Sequence, residues 1–302
     1  MSDNILTTTD ITMPDTLLPG IWKKAQGSSV ITMLSQAAPQ MKYGSENIMT
    51  LDIRPRAEFV AEGAEKTPTR AKFGLRTVTP HKTQVTMRFD EEVKWADEDY
   101  QLGILKELAD ATGEALGRAL DLGAIHAINP LTGLHATSIT DYLMQTDKVV
   151  EAGKEIDLDI ERAAGLIIAE HFRPSGVAFD LTYAWDLATI RYEDGRKKYP
   201  DLGLGLDITN FEGLPASVSD TVSGAPEAEE ATGLLAVVGD WSAFRWGVQR
   251  KIGVTMIEYG DPDGQGDLKR KNQIALRAET VYGWCFIDKD AFAVIMATDE
   301  VG

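Results

Sequence analysis

Residues 47–90 constrain the possible folds most. They contain strand-like apolar segments on both sides of a tip that is too polar to lie in a core. An apolar run at 48–53 precedes a polar stretch at 62–70 that has turn chemistry, and apolar residues return at 73–78. Positions 84–89 then alternate apolar and polar side chains, the period of a half-buried strand. We therefore predict a long β-hairpin that projects from the body, followed by a further strand.

The preceding residues 1–46 predict an extended arm rather than a compact domain. Ser, Thr, Gly, Pro and Gln are frequent there and apolar residues are thinly spaced, with one short helix expected at 19–26. Such an arm cannot bury its own apolar side chains. The arm must therefore lie on the rest of the chain or on another chain, and we expect both the arm and the hairpin to lie on a neighbouring copy.

Residues 97–126 carry the clearest helical pattern. Apolar and small residues recur there at three- and four-residue steps, and the acidic residues at 97–99 stand at the positive end of the helix dipole. At 1.5 Å per residue this helix would be roughly 45 Å long. Gly103, Gly113 and Gly117 each cost about 1 kcal/mol relative to alanine. Their presence indicates that something packs close to the helix backbone.

The rest of the chain predicts a mixed α/β region and closing strands, so the fold class is α+β. Period and turn residues indicate these elements: helices at 160–171 and 183–190, strands at 177–181, 234–238, 252–256, 274–281, 284–287 and 291–296, and an acidic loop at 219–233.

Composition and motifs argue against an enzyme and against a nucleic-acid-binding protein. The chain has 47 acidic and 30 basic residues, a net charge of −17, whereas phosphate binding needs clustered Lys and Arg. The single cysteine, Cys285, excludes a disulfide within the chain, and its apolar neighbours predict a buried, inert thiol. The four histidines are scattered, and we expect His171 to pack against or cap a helix end. We predict no catalytic, metal-binding or cofactor-binding residue, and no membrane-spanning or signal segment.

The order of these parts resembles the major capsid proteins of tailed phages, which have the Hong Kong 97 fold. Residues 57–63 (AEFVAEG) are similar to that family's entry to a projecting loop called the E-loop, and 78–82 to its exit. The resemblance continues through the later segments 116–134, 187–196, 213–219, 238–252 and 272–292.

The resemblance implies a Hong Kong 97-type capsid fold divided into five regions. Those regions are an N-terminal arm (1–46), the E-loop hairpin with its flanking strands (47–90), a P-domain with a long spine helix (91–156), an A-domain (157–266) and return strands to the P-domain (267–302).

It also implies a structural function. The chain would assemble through hexamers and pentamers into an icosahedral shell around phage double-stranded DNA, as part of the virion, after assembly in the bacterial cytoplasm. Its partners would be itself, a portal, a decoration protein and a scaffolding protein, which is expected to be separate because the arm starts within about 16 residues of Met1. An encapsulin-type nanocompartment shell and an α/β enzyme using Asp240 or His171 remain alternatives. The expected assembly-interface residues are Trp22, Phe59, Glu62, Lys66, Arg70, Lys72, Arg196, Asp240 and Arg250.

Five-fold and six-fold rings built from one interface differ by roughly 12° per contact. The loops at 202–210, 219–233 and 261–267 contain enough Gly and Pro to absorb this difference. We therefore expect all three at the edge of the A-domain, free to adapt.

Overall fold

The computed structural model describes residues 24, 29–35, 41, 46–51, 57–63, 65, 66, 68, 73–95 and 98–298. Three predicted interface residues lie outside these ranges: Trp22, Arg70 and Lys72. The helix expected at 19–26 also lies outside them, apart from Lys24. The helices are α1 (Val30–Leu34), α2 (Glu98–His126), α3 (Ile156–Ala169) and α4 (Leu181–Thr189). The strands are β1 (Glu46–Leu51), β2 (Phe73–Asp90), β3 (Val149–Glu151), β4 (Gly176–Phe179), β5 (Asn210–Phe211), β6 (Leu214–Val218), β7 (Leu234–Gly239), β8 (Phe244–Ile257), β9 (Gln273–Phe286) and β10 (Phe292–Met296).

Two sheets organise the described chain, as expected for an α+β fold. One is antiparallel with the order β1-β2-β9-β8, and the other is mixed with the order β3-β10-β7-β4-β6-β5. No helix among the described residues is both long enough and apolar enough to cross a membrane.

The six-stranded sheet separates two hydrophobic cores. Along β10, Phe292 and Val294 point into a core shared with α1 and α2, whereas Ala293 and Ile295 point into a core covered by α3 and α4. Successive side chains of a strand point to opposite faces, so a continuous apolar run can fill both cores. Both faces of this sheet are therefore covered by the chain itself.

In the four-stranded sheet, β2 is one strand of 18 residues, and the predicted break before position 84 is wrong. Its first part pairs with β1 from Phe73 to Val78, and its second part pairs with β9 from Thr79 to Asp90. Pro80 lies just beyond the last pair with β1, where β2 has a partner on one side only. Proline is tolerated at such a position because no second ladder needs its missing N–H.

The predicted break in β9 is also wrong, for a packing reason. Gly283 stays within the strand, and a Cβ at this position would lie 2.6 Å from Cε of Met41 and 2.8 Å from Cγ1 of Val78. The glycine thus makes room for a neighbouring side chain and does not end the strand.

Helix α2 matches the predicted helix to within one residue at its start. Close packing against its backbone occurs at Gly123, where a Cβ would lie 3.0 Å from Cη2 of Trp284. A Cβ on Gly103 would meet nothing within 4 Å. The expected close contact is therefore not found at Gly103, and the contact at Gly123 involves a glycine that the expectation did not name.

His171 ends α3, as expected for a capping residue. Its φ is +66°, its N–H donates to the carbonyl of Ile168, and the N–H of Phe172 donates to the carbonyl of Ile167. This pair of bonds is the Schellman motif that closes a helix at its C-terminus.

Candidate assembly surface

The hairpin formed by β1 and β2 presents an apolar face that the described chain leaves uncovered. Met49 is paired directly with Leu75, and these side chains are 67% and 66% exposed. Phe73, two residues before Leu75 and therefore on the same face, is 62% exposed. We call Met49, Phe73 and Leu75 the hairpin face. An apolar face of this kind on a sheet is typical of a protein–protein contact.

The segment between the two strands adds further exposed groups. Phe59 is fully exposed and Val60 is 40% exposed, and both lie outside any helix or strand. Glu62 and Gly63 form a turn in which Gly63 has a φ of +82°, a conformation that favours glycine. Glu62 and Lys66 are also exposed, so the three predicted residues described here all face solvent.

The hairpin region differs from the rest of the chain in charge. Positions 52–82 contain seven Lys and Arg residues and four Asp and Glu residues, a net charge of +3, although the whole chain carries −17. The basic residues include Lys66, Arg70 and Lys72. The hairpin region is therefore a basic part of a strongly acidic chain.

The other three predicted interface residues lie on separate elements, with local contacts. Arg196 is exposed and its Nε donates to Oδ2 of Asp194 at 2.6 Å, which lowers the pKa of that carboxyl group. Asp240 accepts from the backbone N–H of Ser242 at 3.1 Å and caps a short 3-10 turn. Arg250 is exposed on β8, and its carbonyl accepts from the hydroxyl of Thr280.

The acidic loop at 219–233 is docked against α2, so the expectation of a free, adaptable loop is wrong for this segment. The guanidinium of Arg118 contacts Asp220 at 2.6 Å and Glu227 at 2.5 Å, which raises the pKa of Arg118. Nε2 of His126 donates to the carbonyl of Val222 at 2.8 Å. The acidic composition of the 219–233 loop suggested that it is solvated. Its partners Arg118 and His126 lie about a hundred residues away in sequence, so the local sequence gives no sign of them.

The described residues contain no cluster of three or more His, Cys, Asp and Glu residues suited to a metal ion. Cys285 is buried as predicted, and burial raises the pKa of its thiol to about 11, so it stays protonated at neutral pH. An open groove of about 1260 Å³ between β2 and α2 contains His81, whose ring packs against Trp284 with centroids 4.6 Å apart and an angle of 34° between the ring planes. Burial lowers the pKa of His81.

Sequence reasoning missed the hairpin face as a site. It placed Met49, Phe73 and Leu75 on strands but selected the charged residues and Phe59 of the connecting segment. The signal that could have found it is the alternation of apolar side chains along the hairpin strands, next to which the sequence predicts no helix that could cover them.

Comparisons with known proteins agree with this architecture. The model of the phage capsid family matches residues 9–296. A chain from Mycobacterium phage Ogopogo is 49% identical with a TM-score of 0.79, and the match covers 89% of this chain and 92% of that one. A chain from Gordonia phage Cozz is 33% identical with a TM-score of 0.78, covering 90% and 87%.

A more distant structure, titled as the capsid of an empty GTA particle computed with C5 symmetry, is 12% identical with a TM-score of 0.62 over 90% of both chains. No curated protein matches the chain. The predicted Hong Kong 97-type fold and the predicted role in a shell are confirmed. The chain belongs to the phage capsid family and is a major capsid shell protein.

Proposed function

We propose that this capsid protein assembles through pentamers and hexamers, and that the hairpin face of each subunit is buried on the next subunit. The observation that carries the proposal is the hairpin face itself, with three large apolar side chains more than 60% exposed on one side of a two-stranded ribbon. Isolated two-stranded ribbons are only marginally stable in water, so burial against another surface would stabilise this one. Head-to-tail contacts of this kind close into rings.

Charge supports a second copy as the covering surface. The hairpin region is basic and the rest of the chain strongly acidic, so the two regions of different copies attract each other, whereas the acidic bodies alone repel. In this arrangement Phe59, Glu62, Lys66, Arg70 and Lys72 lie at or near the contact. We assign Trp22, Arg196, Asp240 and Arg250 to the remaining contacts within the shell.

The five-part division into arm, E-loop hairpin, P-domain, A-domain and return strands stays part of this proposal. The contents of the shell and its partner proteins are also part of this proposal. The shell encloses double-stranded DNA without reading its sequence, is assembled in the bacterial cytoplasm and works with a separate scaffolding protein, a portal and a decoration protein. The protein needs no cofactor and catalyses no reaction. The net charge of −17 supports a container that does not adsorb the phosphates packed into it.

A charge reversal tests the proposed contact. We expect the triple variant Lys66→Glu, Arg70→Glu, Lys72→Glu to keep the melting temperature of the parent chain and to lose closed particles in negative-stain micrographs. The control Lys66→Arg, Arg70→Lys, Lys72→Arg preserves charge and should assemble normally. Particles of normal yield and size from the reversed variant would contradict the proposal.

The contents of the particles test the alternative shell function. A capsid purified from infected cells should contain nuclease-protected DNA, whereas a nanocompartment should contain a packaged protein and no protected DNA. The comparisons favour neither the nanocompartment nor an enzyme.

A further inference from the structure

Asp121 is a fully buried residue on α2 whose carboxylate joins two segments that are distant in sequence. Its Oδ1 accepts from the hydroxyl of Ser29 at 2.6 Å and from the N–H of Ile31 at 3.2 Å. Its Oδ2 accepts from the N–H of Val30 at 2.9 Å and from the hydroxyl of Thr221 at 2.9 Å. An ionised carboxylate only accepts hydrogen bonds, and these four donors occupy both of its oxygens. Three of the donors belong to the start of α1 and the fourth to the acidic loop.

We call residues 29–35 the arm root. The root is inserted into the body of its own chain, although a neighbouring copy was expected to cover the arm. Val30 and Ile31 are each 1% exposed. The hydroxyl of Ser35 accepts from Nε1 of Trp246 at 2.8 Å, which fixes the other end of the root. The root is therefore docked on the body at both of its ends.

The acidic loop at 219–233 meets the root at the same place. Val222 is fully buried in the hydrophobic core that contains the apolar side chains at the start of the root. The hydroxyl of Thr221 has one proton, which it donates to Asp121, so the hydroxyl of Ser219 at 2.8 Å is the donor to Thr221. The loop therefore shares both a carboxylate and a core with the root.

We propose that Asp121 couples the arm root to the 219–233 loop, so that each segment is held more tightly when the other is docked. Docking of the root removes the carboxylate from water, and burial of a charge costs free energy unless other donors replace the water. The hydroxyl of Thr221 is one of these donors, so the docked loop makes docking of the root easier. By thermodynamic reciprocity, the docked root favours the docked loop to the same extent.

The loop also has an attachment to α2 that does not involve Asp121. Arg118, one turn earlier on the helix, contacts Asp220 and Glu227. Loss of the hydrogen bond from Thr221 should therefore leave the loop attached to the helix. This second attachment allows the contribution of Asp121 to be measured in a folded chain.

The consequence of the coupling for assembly rests on the proposed function. Residues 1–28 of the arm precede the root, and the loop was expected at the edge of the A-domain. A contact that draws the arm away from the body of its own subunit would release the root and, through Asp121, loosen the loop. The loop would then gain the freedom to adapt that its docked state denies it.

Hydrogen exchange of the unassembled full-length chain at constant neutral pH tests the coupling. Thr221→Val removes the donor from the loop and changes no residue of the root. We expect the protection factors of the root amides to fall about tenfold, which is typical of groups in one hydrogen-bond network. The amides of β7, inside the six-stranded sheet, report global unfolding and serve as the reference.

Thr232→Val is the matched control. The hydroxyl of Thr232 donates to the carbonyl of Ser223 at 2.6 Å, so this change also removes a threonine hydroxyl from the loop but leaves the donors to Asp121 in place. It should not change the protection of the root. An unchanged root in Thr221→Val, or an equal loss of protection in Thr232→Val, would overturn the proposal.

Ser29→Ala gives the reciprocal test, and it replaces Thr221→Val if that variant fails to fold. It removes a donor from the root, so we expect faster exchange, relative to β7, at the amides of Val222 and Gly224, which donate to carbonyls within the loop. Unchanged exchange at these amides would equally overturn the coupling. Because the chain is unassembled throughout, the proposed assembly contact can fail without affecting this result.

Discussion

The six-stranded sheet and the hairpin both contain large apolar side chains on strands, but these side chains have opposite surroundings. In β10, Phe292, Ala293, Val294 and Ile295 are all at most 1% exposed because helices cover both faces. In the hairpin, the side chains of the hairpin face are 62–67% exposed. A strand pattern therefore shows which apolar side chains should be buried. Only the tertiary structure shows whether other elements of the same chain bury them. The region that lacks cover is the region where the subunit is incomplete.

One strand joins the two kinds of environment. Val78 in β2 is 3% exposed and packs with Met41 and Cys285, whereas Leu75, three residues earlier, is mostly exposed. Because β2 is continuous through this point, the direction of the hairpin is set by the pairing of β2 with β9 inside the body.

The largest effect should come from the covered sheet. Phe292 packs edge-to-face on Trp241 and Phe286, with ring centroids 5.4 and 5.6 Å apart. We expect Phe292→Ala to lower the free energy of unfolding by about 3–5 kcal/mol, because it leaves a cavity between the two sheets. Urea denaturation of the unassembled chain measures this. Phe59→Ala is the matched control and should change it by less than about 0.5 kcal/mol. Equal losses of stability in the two variants would show that Phe59 is as well packed in the isolated chain as Phe292.

An intermediate effect should come from the contact between α2 and the 219–233 loop. Arg118→Met removes the cation that Asp220 and Glu227 share, and we expect a loss of about 1–2 kcal/mol because both carboxylates are partly solvated. Amide exchange in 219–228 should also become faster. Arg196→Met breaks a solvent-exposed ion pair and should leave the free energy of unfolding unchanged within error. Unchanged exchange in Arg118→Met would show that this loop is held by other contacts.

The smallest effect on the isolated chain should come from the hairpin face. We expect Leu75→Ser to change the free energy of unfolding by less than about 0.5 kcal/mol, because the side chain is already in water. The same variant should reduce particle yield in sedimentation experiments, since the apolar contact with the next subunit is lost. A loss of several kcal/mol in the isolated chain would mean that the chain itself covers this face.

Elements with a long, regular pattern were predictable from sequence, and elements that depend on distant partners were not. Helix α2 and strand β7 were located to within a residue or two because their periodicity is local. The continuity of β2 depends on β9, the docking of 219–233 depends on Arg118, and the burial of Val30 and Ile31 depends on α2, where Asp121 accepts from both of their N–H groups. No local pattern contains these partners.

The same distinction applies to the candidate site. The exposure of Phe59, Glu62 and Lys66 follows from a polar hairpin tip, and the sequence is sufficient to predict it. The hairpin face was missed because apolar strand residues normally indicate a core. Its exposure becomes visible only when the covering elements are seen to lie elsewhere.

Thiol labelling of Leu75→Cys shows whether a neighbouring subunit covers the hairpin face in the particle. The native Cys285 is 2% exposed with a thiol pKa raised to about 11, so the introduced cysteine is the reactive one. We predict rapid labelling in dissociated subunits and labelling at least about tenfold slower in intact particles, because the next subunit covers the hairpin face. Equal labelling rates in the two states would contradict the account.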